Sequence, residues 1–184
     1  MAGELGSKIV IETARLYVRT WRESDIEPLF RIESDPLVHR YTTEEPWTIG
    51  ETRAFVKKAI NECWGCEPGF FNCPLVLKAT DELIGRVGLN RLGQLPVPEM
   101  ELMIAPAHWG KGYATEIARE MLRYGFEEAG FEEILGFVMP ANVASRRVLE
   151  KIGMAFVGER TWRGTVWAFY RATRGPQPTV TADW

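Results

Sequence analysis

Carboxylate and apolar residues alternate from Glu99 onward, and this alternation predicts a strand with two unlike faces. Glu99 and Glu101 lie on one face, and the three apolar residues between and after them lie on the other. Pro106 ends the strand. Apolar residues then recur at helical spacing from Ala114, so we predict a strand, a short loop and a helix ending near Gly130.

Similar patterns cover most of the chain and predict one α/β domain with a mixed sheet. The apolar spacing predicts helices at residues 24–34, 48–64, 112–130 and 142–153. It predicts strands at residues 15–21, 71–79, 83–92, 99–104, 134–139, 155–159 and 166–172, the last two joined by a turn at 160–165. We expect the domain to span residues 11–172, between a flexible lead at 1–10 and a flexible tail at 173–184.

The loop before the helix holds Gly110, Lys111 and Gly112. Glycine adopts positive φ and lets the backbone approach a ligand closely. Free N–H groups ahead of a helix N-terminus bind phosphate, and Lys111 adds a positive charge. The alternative is a tight strand-to-helix turn that binds nothing. The spacing argues against a dinucleotide fingerprint, which needs a third glycine, and against a Gly-Lys-Ser/Thr nucleotide loop.

Composition and charge narrow the class of protein. The 184-residue chain is long enough for one domain with a substantial core. A net charge of −3 and a pI of about 5.6 provide no basic field for nucleic acid. No apolar run could span a bilayer, and residues 1–10 lack the apolar core of a signal peptide. We therefore expect a cytoplasmic protein without a membrane partner.

The cysteines do not predict a bonded framework. Cys63, Cys66 and Cys73 are three in number, so no set of disulfides is implied. The spacing of Cys63 and Cys66 also occurs in zinc and redox sites, but no second Cys pair or His pair stands at ligand spacing. We predict no metal.

Two longer motifs are more specific than the glycine pair. The first is Trp109-Gly110-Lys111-Gly112-Tyr113-Ala114, and the second is the run 142–154. They resemble the GNAT N-acetyltransferases, most closely the RimJ/RimL-like branch. That family carries Arg/Gln-x-x-Gly-x-Gly/Ala, from which Trp109 departs, and the branch carries Asn-x-x-Ser…Leu-Glu-Lys-Leu-Gly-Phe, in which Met154 takes the Phe position. The resemblance covers about residues 11–172.

This resemblance implies a fold and a co-substrate. The fold is a single-domain GNAT-like mixed, mostly antiparallel sheet flanked by helices. Its central strands, here 99–104 and 134–139, splay apart around acetyl-CoA, and no metal takes part. Backbone groups of the loop hold the pyrophosphate, and those at the end of the strand dock the pantetheine. The cofactor-binding residues implied in this way are Leu102, Met103, Ile104, Trp109, Gly110, Lys111, Gly112, Tyr113, Ala114, Asn142 and Ser145.

Glu99 and Ser145 are the candidate catalytic residues. A carboxylate beside a buried cleft can accept the proton of an attacking amine, and Glu99 matches the Glu that begins this strand in the branch. A solvated strand face is the alternative. Ser145 matches the branch's Ser and could donate to the leaving thiolate. Many members use a helix Tyr for this step, and Leu149 stands at its position. Asn142 either caps its helix or reaches the pantetheine amide.

The acceptor is harder to predict. By resemblance, the loop His39–Trp47 borders the acceptor pocket, so Tyr41, Trp47 and Glu101 are candidate substrate-binding residues. Ordinary packing is the alternative for the two aromatic residues.

The expected function is transfer of an acetyl group from acetyl-CoA to a primary amine by direct attack. The acceptor is a protein N-terminal amine or a small amine or amino-acid derivative, and the protein is a monomer or a homodimer. The alternative is a catalytically weak acyl-CoA-binding regulatory module, consistent with Leu149. A nucleotide-binding protein without CoA is a third reading, which the loop spacing disfavours.

Overall fold

An eight-stranded sheet organises the chain, with strand order β1-β2-β3-β4-β5-β6-β8-β7. The computed structural model describes residues 7–66, 68–91 and 97–175. The strands are β1 (Ile9–Glu12), β2 (Leu16–Arg19), β3 (Phe71–Leu77), β4 (Glu82–Arg91), β5 (Pro98–Ile104), β6 (Glu133–Val138), β7 (Ala155–Trp162) and β8 (Thr165–Thr173). The helices are α1 (Ile26–Glu33), α2 (Pro36–His39), α3 (Ile49–Asn61), α4 (Tyr113–Glu127) and α5 (Val143–Lys151).

The sheet opens between its two central strands. Among the described residues, β5 and β6 form the one parallel pair, and their register holds a single partnership, Glu99 with Leu135. The other neighbouring strands pair antiparallel. The predicted mixed, mostly antiparallel sheet with splayed central strands is therefore confirmed.

Helices cover the sheet through two apolar clusters. On one side, α4 and α5 pack through residues such as Ile117, Met121 and Leu149, all in the larger core. On the other, α1 and α3 pack through Leu29 and Val56 in a smaller core. Each such side chain contributes about 1.5–3 kcal/mol when fully buried. The two layers hold the sheet, and with it the gap between β5 and β6, in a fixed shape.

Several predicted boundaries are wrong at the edges of the sheet. Strand β1 begins at Ile9, inside the predicted flexible lead, because it pairs antiparallel with β2. Strand β8 runs one residue into the predicted tail, to Thr173. Residues 1–6, most of the tail at 176–184 and the loop residues 92–96 lie outside the described residues. Helix α2 was not predicted; the Asp35 side chain caps it by accepting from Leu37 N at 2.9 Å.

The last hairpin is longer than predicted. The predicted turn at 160–165 is in fact the two residues Arg163 and Gly164, with φ of 50° and 79°. Positive φ at both central positions suits the right-handed twist of a two-residue hairpin. As a result β7 continues to Trp162, three residues beyond its predicted end at Glu159.

The cysteines also differ from expectation. A disulfide joins Cys63 to Cys66, directly after α3, where no disulfide was predicted from the odd cysteine count. Cys73 is free, and burial raises the pKa of its thiol to about 12. Across the part of the chain that the structure describes, no group of three or more His, Cys, Asp or Glu side chains could hold a metal ion. Nor does any described helix have the length and apolarity to cross a membrane.

Candidate active site

The backbone at the end of β5 alternates between two directions. Ala105 N donates to the Ile84 carbonyl of β4 at 2.8 Å. Hydrogen-bonding direction alternates along an antiparallel ladder, so the backbone groups of Met103 also point to β4. Those of Leu102 and Ile104 point the other way, into the gap between β5 and β6. Of the three residues implied to dock acetyl-CoA, Leu102 and Ile104 have the suitable orientation.

The gap leaves these groups without a ladder partner on β6. The recorded β5–β6 pairing lies at Glu99 and Leu135, before the strands separate. The Trp109 indole Nε1 donates to the Ile104 carbonyl at 2.6 Å, although half of the Trp109 surface is exposed. Trp109 therefore anchors the start of the glycine loop to β5. The Leu102 amide and carbonyl remain as the backbone groups that can hydrogen-bond a ligand in the gap.

The glycine loop ends in an uncapped helix. Gly110 and Gly112 have φ of 73° and 81°, the left-handed region that favours glycine. Gly112 is the N-cap of the 15-residue helix α4, and no side chain caps that end. The first-turn N–H groups of a helix have no intrahelical acceptor, so those from Tyr113 onward are available to an anion.

Arg15 holds the loop in place, a role that the sequence did not reveal. Its Nε lies 2.6 Å from Glu116 Oε2 in the first turn of α4, and its Nη1 donates to the Lys111 carbonyl at 3.0 Å. Its guanidinium also lies 4.5 Å from the centre of the Tyr113 ring. The β1–β2 turn is thereby bonded to both sides of Gly112.

A cavity of about 610 Å³ adjoins Gly112, and its lining includes three cations and the carboxylates of Glu116 and Glu120. The cations among its lining residues are Arg15, Arg119 and Lys151, which come from the β1–β2 turn, α4 and α5. Together with the helix N-terminus, this cavity suits a ligand that carries several phosphates.

Glu99 lies where β5 and β6 begin to separate. It lines a cavity of about 100 Å³ whose other walls are the aromatic rings of Phe137, Trp162, Trp167 and Phe169. Burial, and secondarily the nearby charge of Glu101, raises the pKa of the Glu99 carboxyl to about 7. A carboxyl poised near neutral pH is suited to general base catalysis.

Glu101 shares the face of Glu99, as predicted, but its carboxylate already has protein partners. Arg86 Nη1 donates to Oε1, and the side-chain amides of Asn72 and Asn90 donate to Oε2. Arg86 in turn binds Glu33 Oε1 through Nε at 2.6 Å, in a buried pair. Glu101 is therefore a fixed anion beside Glu99, which supports a role in positioning and charge; its direct contact with substrate stays a prediction.

The two aromatic residues of the predicted acceptor loop have separate surroundings. The Trp47 ring packs 5.1 Å from Phe55 and 5.2 Å from the Arg86 guanidinium, so it covers the Arg86–Glu101 pair. Tyr41 lies 5.2 Å from the Arg40 guanidinium. Packing thus accounts for Trp47, and the assignment of both residues to substrate binding stays a prediction.

Asn142 and Ser145 meet at the start of α5. Asn142 Oδ1 accepts from Ser145 N at 3.1 Å, which establishes the capping role of Asn142. The cap uses the oxygen and leaves the Nδ2 donor for a ligand. Leu149, at the position of the missing Tyr, is buried against Gly136 and Met154 and supplies no hydrogen-bond donor.

The aromatic walls around Glu99 were missed from the sequence. Phe137 and Phe169 are register partners on β6 and β8, with ring centres 4.5 Å apart. Trp167 and Phe169 alternate on β8 and so share a face with Trp162 of β7. That alternation was visible, but only the β6–β8 and β7–β8 pairings bring the rings to Glu99.

Comparison with known proteins identifies the family. The family model described as an acetyltransferase (GNAT) domain matches residues 15–155. The N-acetyltransferase YnaD of Bacillus subtilis (strain 168) is 33% identical over 144 residues, covering 78% of this chain and 81% of that protein. A GNAT-family acetyltransferase structure from Bacillus anthracis superposes with a TM-score of 0.78 at 28% identity, covering 90% of this chain and 98% of that one. RimL, an alpha-N-protein acetyltransferase solved with coenzyme A, superposes with a TM-score of 0.74 at 13% identity, covering 90% and 98%.

Proposed function

The chain belongs to the GNAT family of acetyltransferases, and we propose that it acetylates a primary amine held beside Glu99, with Glu99 as the general base. The amine belongs to a protein N-terminus or to a small molecule. One observation carries this proposal: the carboxyl with a pKa near 7 stands where the central strands separate, inside a cavity with aromatic walls.

The described residues fit acetyl-CoA. The uncapped N-terminus of α4 and the backbone of Gly110–Ala114 would hold its pyrophosphate, and the Leu102 edge would hydrogen-bond its pantetheine. Arg119 and Lys151 would neutralise further phosphate charge. When bound, acetyl-CoA supplies the thioester that the amine attacks, so that an amide forms, the C–S bond breaks and CoA leaves as a thiol.

The residues of this chain handle the proton of the amine. An amine arrives mostly as an ammonium ion, which cannot attack until it loses a proton. Glu99, ionised above pH 7, accepts that proton at a carboxylate oxygen. The aromatic rings surround the carboxylate with apolar surface, which strengthens its attraction to the ammonium. Asn72, Asn90 and Arg86 keep Glu101 in place beside it.

Replacement of Ser145 by alanine is expected to lower kcat about tenfold while acetyl-CoA binding changes little. The Ser145 hydroxyl lies in the first turn of α5, and we assign it to the leaving thiolate, whose charge develops only during reaction. Steady-state kinetics and a binding titration separate the two effects. A normal kcat in the variant would assign protonation of the thiolate to another group or to water.

Acetyl transfer itself is tested by thiol release from acetyl-CoA with a panel of amines, together with mass analysis of the product. We expect an added mass of one acetyl group on the amine, and thermal stabilisation by CoA alone. If CoA stabilises the protein and no amine is acetylated, the chain is the acyl-CoA-binding module that Leu149 would suit. Stabilisation by ATP but not by CoA would overturn both functions.

A further inference from the structure

We propose that Arg15 is a positioning residue for the acetyl-CoA phosphates. It acts through the glycine loop in two ways: it fixes the peptide plane between Lys111 and Gly112, and it neutralises the carboxylate of Glu116. Arg15 lies 96 residues before Lys111, outside the two motifs that indicate acetyl-CoA binding. This inference rests on the proposed binding of acetyl-CoA and adds a distant residue to it.

The first observation is that Arg15 is bonded to both sides of the loop. Its Nη1 donates to the Lys111 carbonyl at 3.0 Å, and its Nε lies 2.6 Å from Glu116 Oε2. Its backbone N–H donates to the other oxygen of that carboxylate at 2.9 Å, and its guanidinium lies 4.5 Å from the centre of the Tyr113 ring. A planar guanidinium bonded in this way has one orientation, so it fixes the groups that accept its hydrogen bonds.

The second observation is the peptide whose carbonyl accepts from Arg15. Its peptide bond is trans, so the Lys111 carbonyl and the Gly112 N–H point in opposite directions. Gly112 has a φ of 81°, and half a turn of the peptide would bring it to a negative φ that glycine adopts about as readily. The carbonyl oxygen would then stand where the N–H stood, and it would repel a phosphate. The hydrogen bond from Arg15 opposes this turn.

The third observation is a carboxylate beside the phosphate loop. Glu116 lies in the first turn of α4 and lines the cavity next to Gly112. Burial acts to raise the pKa of its carboxyl, but hydrogen bonds from Thr13 and Arg15 outweigh it and lower that pKa, so Glu116 is ionised at neutral pH. A carboxylate at a helix N-terminus competes there with an anionic ligand. The Arg15 guanidinium, in direct contact with Glu116, cancels this charge.

These contacts contribute more to ligand binding than to folding. The Arg15 side chain is 47% exposed, and an exposed ion pair contributes little to the free energy of unfolding. Its removal should therefore lower the melting temperature of the unliganded protein by no more than about 4 °C. The consequence of losing Arg15 is expected instead in the affinity for CoA.

The test titrates CoA into the wild type and Arg15→Met and follows acetyl transfer in both. The Kd for CoA and the KM for acetyl-CoA are expected to rise about 10–100-fold, from one misplaced N–H and one unmasked carboxylate. At saturating acetyl-CoA, kcat should change by less than about twofold. A general disturbance of the domain would lower kcat and the melting temperature as well. Unchanged CoA affinity in Arg15→Met would overturn the inference.

Arg15→Lys distinguishes positioning from charge. Lysine keeps the positive charge and loses the planar fork that bonds Lys111 and Glu116 together. Its affinity for CoA is expected to stay at least about fivefold below that of the wild type. Recovery to wild-type affinity would show that Arg15 acts as a charge alone, and the positioning role would be rejected.

The double variant Arg15→Met/Glu116→Gln separates the two effects of Arg15. It is expected to bind CoA about two- to fivefold more tightly than Arg15→Met, because no unmasked carboxylate faces the phosphates. It should still bind more weakly than the wild type, because the Lys111 carbonyl has lost its donor. Affinity equal to that of Arg15→Met would show that Glu116 is not masked, and affinity equal to that of the wild type would show that the peptide is not held. Either result overturns the inference.

Lys78→Met is the matched control. The Lys78 ammonium pairs with Glu12 Oε1 at 2.7 Å and donates to the Thr13 carbonyl, so the variant loses one positive charge and one anchor of the same β1–β2 turn. Lys78 is not among the residues that line the cavity. Its affinity for CoA is expected to equal that of the wild type. A loss as large as that in Arg15→Met would assign the effect to the whole turn and overturn the inference.

The proposed acetyl transfer and the role of Arg15 fail separately. If the wild type binds CoA and acetylates no amine, the transfer is rejected, and the CoA titrations of the variants still decide the role of Arg15. If the wild type acetylates an amine and Arg15→Met binds CoA normally, only the role of Arg15 is rejected. If the wild type does not bind CoA, both are rejected.

Discussion

Gly112→Val is expected to weaken acetyl-CoA binding by at least about 100-fold while the domain stays folded. Gly112 has a φ of 81°, which a β-branched residue avoids, so the backbone must shift at the N-cap of α4. Hydrogen bonds from backbone N–H groups to a charged phosphate contribute about 1.5–3 kcal/mol each, and misplacing two of them gives a loss of this size. Titration with acetyl-CoA measures it directly.

Gly130→Val is the matched control for this loop. Gly130 follows the other end of α4 with a φ of 72°, and a Cβ there would meet nothing within 4 Å. The two variants therefore carry a similar backbone strain, and both are expected to melt at lower temperature than the wild type. Only Gly112→Val should lose the stabilisation that saturating CoA gives. Equal CoA affinity in Gly112→Val and the wild type would show that the phosphates bind elsewhere.

Local patterns account for how well the fold was predicted. The strand at Glu99–Ile104 and the helices after it were predicted from alternation and helical spacing, which depend on neighbouring residues. The edges of the sheet were predicted less well. Strand β1 is four residues long and is defined by pairing with β2, and the length of the last hairpin follows from the backbone of Arg163 and Gly164.

The candidate active site was also predicted well where it depends on neighbouring residues and less well where it depends on distant ones. The glycine loop and Glu99 belong to continuous motifs, and the structure places them at the uncapped helix and at the root of the gap. The contacts around both come from distant parts of the chain: near Glu99, Asn72 is 29 residues from Glu101, and at the glycine loop Arg15 is 101 residues from Glu116. Contacts at such separations depend on strand order and register, which single-sequence patterns do not specify. The raised pKa of Glu99 was unpredictable for that reason, because burial is its larger cause.

Glu99→Gln is expected to lower kcat/KM by about 10²–10⁴-fold at pH 8 and by much less at pH 6, because a general base contributes only when ionised. The pKa of Glu99 is raised to about 7, so the wild-type kcat/KM should fall as the pH drops below that value. The Glu99→Gln variant should lack this fall. The same acceptor amine is used for the wild type and for each variant, so the ionisation of the amine affects all of them equally.

Stability provides a second, opposite readout of the same carboxyl. Burial raises the pKa of Glu99 above its ordinary value of 4.5, so folding disfavours the charged form. The penalty is absent below pH 4.5, grows as the pH rises through the interval to about 7, and is complete above it. Glu99→Gln should therefore gain melting temperature relative to the wild type between pH 5 and pH 8 while it loses activity, a combination that general damage to the fold would not produce.

Glu101→Gln distinguishes the base from its neighbour. The Glu101 charge is the second cause of the raised Glu99 pKa. Its removal should therefore shift the fall in activity at low pH to a lower pH without abolishing it. The variant should also melt at lower temperature, because buried Arg86 loses one of its two carboxylate partners. If the fall in activity at low pH persists in Glu99→Gln and disappears in Glu101→Gln, the general base is Glu101. If it persists in both, the proton leaves through a group that neither carboxylate controls.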